Sequence, residues 1–184
     1  MNIRFLKYFY YSIFDIFKIF HNFYFKNNFV VIYPRIFGII LNNVKIYDKA
    51  KKKIFNYKAR NYSDILTIYE IFSEESYNLK NYLIFKNIQN FYQKILENRK
   101  IPLIIDCGSN IGASSIYFSK LFNKSKIALV EPDHDSYLFS KKNVKGDNFF
   151  FFNNAVSNRN EKVRFASDKI DNRASKICSS SKEE

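Results

Sequence analysis

The stretch that decides the fold is Ile104-Ile105-Asp106-Cys107-Gly108-Ser109-Asn110-Ile111-Gly112. It reads as an apolar strand that ends in a carboxylate, followed by a glycine-bearing turn and the start of a helix. Gly108 and Gly112 permit a tight turn and a close approach of the backbone to a ligand. Ser109 and Asn110 complete the turn, and the next helix points its first amides toward an acceptor. The stretch predicts a ligand site at the end of a strand.

A second carboxylate follows the next apolar run, in Val130-Glu131-Pro132-Asp133. Ligands of open parallel sheets bind beyond the carboxyl ends of the strands, so we expect Asp106 and Glu131 to flank one site. A carboxylate at the second strand end suits the two hydroxyls of a ribose, in NAD proteins and in other nucleoside-binding proteins alike. The pair predicts a nucleoside ligand.

The glycine spacing favours one class of nucleoside over another. A dinucleotide site carries G-x-G-x-x-G, whereas three residues separate Gly108 from Gly112. Asp106 would repel a pyrophosphate but suits the cationic amino group of a methionine moiety. The residues therefore favour S-adenosyl-L-methionine over NAD, and the alternative is an ordinary glycine turn beside a solvent-facing Glu131.

Strands and helices alternate around these motifs. Such alternation with short loops predicts an α/β fold with a parallel, doubly wound sheet. Upstream, we predict a helix capped by Ser63 and a second one at 81–98. The elements of the sheet are predicted as strands at 103–106, 127–131, 149–153 and 163–165, with helices at 111–122 and 135–144.

With these motifs the chain resembles the FkbM-type family of S-adenosylmethionine-dependent methyltransferases, over roughly residues 60–166. The resemblance is carried by residues 105–112, by Val130-Glu131-Pro132-Asp133 and by Asn154-Ala155-Val156-Ser157-Asn158, with a weaker lead-in at 62–77. It implies a Rossmann-like class I methyltransferase sheet and O-methylation of a glycan, lipid or natural-product hydroxyl.

The resemblance also implies roles for single residues. The methionine part of the cofactor would lie among Asp106, Gly108, Asn110 and Gly112. Glu131 would hold the ribose hydroxyls, and the end of the third strand would lie near the adenine. The expected cofactor-binding residues are Asp106, Gly108, Ser109, Asn110, Gly112, Glu131, Pro132, Asn154 and Ala155.

Members of the family continue into a fourth strand and a K-I-D-[IV]-E-G type motif, and nothing similar follows Phe165. We therefore expect an incomplete sheet of three strands, with no assignable general base. Its first strand would be an exposed apolar edge that pairs with a partner chain or with itself. The alternative to an enzyme is a non-catalytic cofactor-binding remnant or a partner-dependent interaction module.

The chain has 184 residues and a formal net charge of +13, concentrated at the N-terminus. Residues 1–63 carry 12 Lys and Arg against Asp15 and Asp48. They predict an aromatic amphipathic helix at 3–25 and a hairpin from 44–47 and 54–57. Residues 1–28 suit an anionic membrane surface, although a packed helix and a solvated basic face are the simpler alternatives.

The remaining composition narrows the class of protein. Lysines and aromatics are spread along the chain rather than gathered in an RNA-binding motif, so no nucleic-acid partner is expected. Cys107 and Cys178 have no zinc spacing, and we expect no metal and a cytoplasmic location. The predicted organisation is an N-terminal arm at 1–60, a partial methyltransferase domain at 61–176 and a disordered tail at 177–184.

Overall fold

The computed structural model describes residues 16–17, 19–21, 24, 28–32, 35–36, 39–40, 43–159, 164–166 and 176–178. The chain is α/β, with a three-stranded antiparallel sheet and a three-stranded parallel sheet that is packed by helices. It divides into two compact units, Met1–Tyr77 and Asn78–Glu184. Each unit is described in turn.

The first unit contains an antiparallel sheet of strands β1 (Phe29–Ile32), β4 (Asn43–Asp48) and β5 (Lys53–Lys58), in the order β1-β4-β5. The hairpin predicted around the basic loop is confirmed, since β4 pairs with β5 along its whole length. Asp48 stabilises the turn, because its Oδ1 accepts from the Lys51 N–H at 3.1 Å. Two short strands, β2 (Arg35–Ile36) and β3 (Ile39–Ile40), pair with each other.

Helix α1 (Tyr62–Phe72) covers this sheet and begins two residues earlier than predicted. The N-cap is Asn61, whose Oδ1 accepts from the Asp64 N–H at 3.0 Å, so the prediction of Ser63 as N-cap is wrong. Ser63 lies one residue inside the helix. Phe72 packs against Phe29 with ring centroids 5.3 Å apart. Because of this packing, α1 belongs to the first unit, although the sequence division had placed it in the second.

The second unit begins with a 3₁₀ turn (Leu79–Asn81) and helix α2 (Leu83–Glu97). The predicted alternation of strands and helices follows with small shifts at the ends. The elements are β6 (Leu103–Cys107), α3 (Ala113–Leu121), β7 (Lys126–Val130), α4 (His134–Asn143) and β8 (Phe149–Phe152). Strands β6, β7 and β8 are parallel and adjacent in that order.

Among the described residues, one face of the parallel sheet is packed. Its centre is Ile127, Leu129 and Val144, and the partly buried residues around them come from the strands and from α3: Ile104, Ile116, Phe118, Phe149 and Phe151. Side chains on the other face alternate with these along each strand. That second face, here called the open face, carries exposed apolar residues: Leu103, Ile105, Phe150 and Phe152.

The predicted strand at 163–165 is present as β9 (Arg164–Ala166), but it pairs antiparallel with β10 (Lys176–Cys178) and not with the parallel sheet. Ile177 and Cys178 therefore lie in a strand and not in the predicted tail. Residues 179–184 lie outside the described residues, as does most of the predicted helix at 3–25, of which residues 16–17, 19–21 and 24 are helical.

Membrane contact through residues 1–28 stays a prediction, because most of that segment lies outside the described residues. In the part of the chain that the structure describes, no helix has both the length and the apolar character needed to cross a bilayer.

Candidate functional site

The parallel register places the ends of the three strands at one edge of the sheet. Cys107 lies beside Val130, and Val130 lies beside Phe152. The turn after β6 is fastened to the end of β7, since the Val130 carbonyl accepts from the Gly108 N–H at 2.8 Å and from the Ser109 N–H at 3.2 Å. The two motifs that the sequence singles out are thus adjacent in space.

The Glu131 carboxylate joins the two motifs directly. Its Oε2 accepts from the Asn110 N–H at 2.7 Å, and its Oε1 accepts from the Asp133 N–H at 2.9 Å. The side chain is only 7% exposed. Amide hydrogen bonds to a carboxylate are charge-assisted and fix its orientation. Glu131 is therefore a buried, oriented anion beneath the glycine turn.

Asp106 faces helix α3 from the end of β6. Its Oδ2 accepts hydrogen bonds from the hydroxyls of Ser114 (2.6 Å) and Ser115 (2.5 Å), in the first turn of the helix. Both serines are buried. The sequence analysis missed them. The signal was a pair of small hydroxyl residues at a helix start, eight and nine residues after an acidic strand end.

The two glycines of the turn have different roles. Gly108 has φ +79°, and an added Cβ would meet nothing within 4 Å, so there is open space beside it. Gly112 has φ +86°, but an added Cβ would lie 2.5 Å from Val144 Cγ2. Gly112 therefore has a packing role, and its contact with the cofactor stays a prediction. Asn110, with φ +47°, also adopts the left-handed conformation that its side chain tolerates.

Ser109 holds a polar group that the fold leaves unused. The residue is 2% exposed, and its Oγ has no hydrogen-bond partner among the described residues. Buried hydroxyls are normally satisfied, and an unsatisfied one costs about 1–3 kcal/mol. Ser125 Oγ is in the same state away from the turn, so it is the position of Ser109 in the glycine turn that makes its hydroxyl a candidate ligand contact.

The end of β8 reaches the site through Asn153, one residue before the predicted Asn154. The Asn153 side-chain amide donates to the carbonyls of Glu131 (2.8 Å) and Pro132 (3.1 Å). Its Oδ1 lies 2.9 Å from the Nδ1 of exposed His134. Asn154 is exposed and Ala155 is half-buried in the segment that follows. Asn153 is thus the β8 residue that is joined to the motifs.

An apolar cavity lies elsewhere in this unit. It has a volume of about 110 Å³ and is lined by residues of α2 and of the start of β6, among them Ile88, Phe91, Tyr92, Pro102 and Leu103. This is the amino end of β6, so the cavity is separate from the glycine turn at the carboxyl end.

Comparisons with protein-family models, with curated proteins and with solved structures find no match to this chain. Across the described residues, no three His, Cys, Asp or Glu side chains are grouped so that they could hold a metal ion.

Proposed function

We propose that the chain is a Rossmann-like, FkbM-type S-adenosylmethionine-binding domain of a methyltransferase. The observation that carries this proposal is the hydrogen bond from the Asn110 N–H to Glu131 Oε2. It joins a glycine turn and a buried carboxylate at the ends of adjacent parallel strands, where open α/β sheets bind their ligands.

The residues of the turn fit a nucleoside that carries a methionine group. The open space beside Gly108 admits the ligand without a Cβ clash, and the orphaned Ser109 hydroxyl supplies a hydrogen bond. Glu131 would accept from the ribose hydroxyls, and Asp106 would attract the amino group of the methionine moiety. Pro132, Asn154 and Ala155 would line the adenine side.

When bound, S-adenosylmethionine supplies an electrophilic methyl group on a positively charged sulfur. The methyl group would pass to a hydroxyl oxygen of the acceptor, and the electron pair of the broken S–C bond would stay on sulfur. The hydroxyl proton would go to solvent, since no described residue is assigned as a base. The contribution of this chain would be to position the reactants. The acceptor class is a hydroxyl of a glycan, a lipid or a natural product.

A second candidate function is nucleoside binding without methyl transfer. It is favoured by the hydrogen bonds of Asp106, whose carboxylate accepts from two serine hydroxyls of α3. These contacts give the carboxylate a structural role, and no described residue is assigned as the base that the transfer needs. The two candidates share one ligand and differ only in turnover.

Calorimetric titration of the full chain with S-adenosylmethionine and with S-adenosylhomocysteine tests the proposal. We expect both to bind, and we expect Glu131→Gln to weaken binding at least tenfold, since a charge-assisted hydrogen bond contributes about 1.5–3 kcal/mol. Glu97→Gln, at an exposed position of α2, makes the same charge change and should leave binding unaltered.

Ser109→Ala is the variant that spares the fold. Because the fold gives this hydroxyl no partner, its loss should weaken nucleoside binding several-fold without lowering the free energy of unfolding. Absence of binding by the unaltered chain would refute both candidates. Transfer of a labelled methyl group to a hydroxyl acceptor would separate the enzyme from the binding module.

A further inference from the structure

Two hydrogen bonds show which backbone groups of β6 point toward β7 and which point away from it. The Pro102 carbonyl accepts from the Lys126 N–H at 2.8 Å, and the Gly108 N–H donates to the Val130 carbonyl at 2.8 Å. Because backbone groups alternate along a strand, the residues between these two bonds alternate in direction. The N–H and C=O groups of Leu103, Ile105 and Cys107 therefore point away from β7.

Between residues 103 and 107, this edge strand contains no lysine, proline or bulge that would block strand pairing. Natural edge strands are protected by lysines, prolines, bulges or a covering element. Leu103 and Ile105 are apolar and 61% and 60% exposed, and Cys107 is also exposed. Asp106, the acidic residue of β6, is bonded to α3 on the packed face. In the described part of the chain, β7 is the strand that pairs with β6.

Charge is distributed unevenly along the direction of the strands. Exposed Arg99 and Lys100 precede β6, and exposed Lys126 begins β7. At the opposite end, α4 begins with Asp133 as its N-cap and exposed Asp135 in its first turn. The amino end of the sheet is thus basic and the carboxyl end acidic. A strand that lies antiparallel to β6 on an identical sheet would bring each basic end to an acidic end.

We propose that β6 is the docking edge for a second copy of this chain. The two β6 strands pair antiparallel about a two-fold axis that passes between the two copies of Ile105. In this register Ile105 faces its own symmetry mate, and Leu103 faces Cys107 of the other copy. The outward backbone groups of these three residues then bond in pairs, and two three-stranded sheets join into one of six strands.

The size of this contact sets the expected affinity. Stable dimers bury about 800 Å² per partner, and one pair of five-residue strands buries less. We therefore expect a reversible dimer whose population rises with protein concentration. A disulfide that links the two copies can detect such a weak contact.

The test introduces a cysteine by Leu103→Cys in the full chain. Residues that face each other in an antiparallel pair have Cα atoms about 5.5 Å apart, which is within the range of a disulfide. We expect mild oxidation to give a covalent dimer through Cys107 of the other copy. The Leu103→Cys/Cys107→Ser double variant should give no covalent dimer, because residues 103 of the two copies lie far apart in this register.

Leu138→Cys provides a matched control, since Leu138 is an exposed apolar residue on α4. Equal cross-linking of this variant would show random collision and would overturn the proposal. In a Cys178→Ser background, a covalent dimer of the double variant would also overturn the proposal, because it would require another register. Both variants are compared on non-reducing gels at the same protein concentration.

Sedimentation velocity of the chain without an introduced cysteine tests the contact independently. Ile105→Lys places two like charges at the two-fold axis and should weaken dimerisation at least tenfold. Leu138→Lys adds the same charge elsewhere and should not. Because Ile105 is largely exposed, its replacement leaves the packed face intact. A monomer at all concentrations, or equal effects of both lysines, would refute the β6 dimer.

Discussion

The two three-stranded sheets of this protein differ in the residues on their outer faces. In the antiparallel sheet, Val44, Ile46 and Tyr57 point inward and are fully buried. The opposite face is half polar: it combines Asn43, Lys45, Asn56 and Lys58 with the apolar or aromatic residues Val30, Ile32, Tyr47 and Ile54. In the parallel sheet, the packed face is apolar, and the exposed residues of the open face are mainly apolar as well.

This difference follows a general rule of sheet architecture. Antiparallel sheets commonly have one wet face, whereas parallel sheets are covered on both faces and have apolar residues throughout. The run of four phenylalanines in β8 shows this most clearly, since Phe150 and Phe152 remain exposed while their neighbours pack. The open face therefore has the apolar composition of a sheet face that is normally buried.

Removing the central aromatic of the antiparallel unit should have the largest effect. Phe72 is fully buried and contacts the rings of Phe29, Phe55 and Tyr57. Phe72→Ala should lower the free energy of unfolding by about 3–5 kcal/mol, through lost burial and a cavity. Ile54→Ala, on the exposed side of β5, should change it by less than about 0.5 kcal/mol. Urea unfolding followed by far-UV circular dichroism measures both.

Matched substitutions on the two faces of the parallel sheet would sharpen the comparison. Ile127 is fully buried and Ile105 is mostly exposed. Ile127→Ala should cost about 2–5 kcal/mol, whereas Ile105→Ala should cost only a few tenths. Hydrogen exchange of the peptides that contain β6 and β7 would report the change within this unit. Equal losses would contradict an open face, because they would require Ile105 to be packed.

Gly112 tests the packed side of the same sheet. Its φ of +86° disfavours any side chain, and a Cβ would overlap Val144. Gly112→Ala should lower the free energy of unfolding by about 2 kcal/mol, from left-handed strain and overpacking. Val144→Ala in the same chain should return the steric part of that loss but not the backbone part. An unaltered thermal midpoint in Gly112→Ala would show that the turn relaxes freely.

The smallest effect is expected at the cap of α1. Asn61→Ala removes the acceptor for the Asp64 N–H and should cost about 1 kcal/mol. Asn61→Ser keeps a capping oxygen and should cost only a few tenths. Thermal unfolding of the two variants distinguishes them. A full loss in the serine variant would mean that Asn61 acts through something other than its cap.

Much of the fold was predictable because its signals are local. Apolar runs that end in Asp106 and Glu131 fixed β6 and β7, and the basic turn at 49–52 fixed the hairpin. The adjacency of the two motifs also followed, since parallel strands end at a common edge. These inferences need only the alternation of side chains along a strand and the conformational freedom of glycine.

The rest depended on contacts between residues far apart in sequence. Asn153 and Asn154 are chemically identical, and only the register of β8 decides which one reaches the Glu131 carbonyl. The packing role of Gly112 is set by Val144, and the hydroxyl partners of Asp106 come from α3. Asn61 and Ser63 are both good caps, so the sequence alone did not separate them.

The parallel pairing also sets an order of assembly. The β4–β5 hairpin closes through a four-residue turn, and such hairpins form in about 1–10 μs. In contrast, Leu103 pairs with Lys126 only after a complete helix has been placed between them. Loop closure must precede these distant contacts, and folding slows as their separation grows. We therefore expect the glycine turn and its carboxylate to come together after the hairpin has formed.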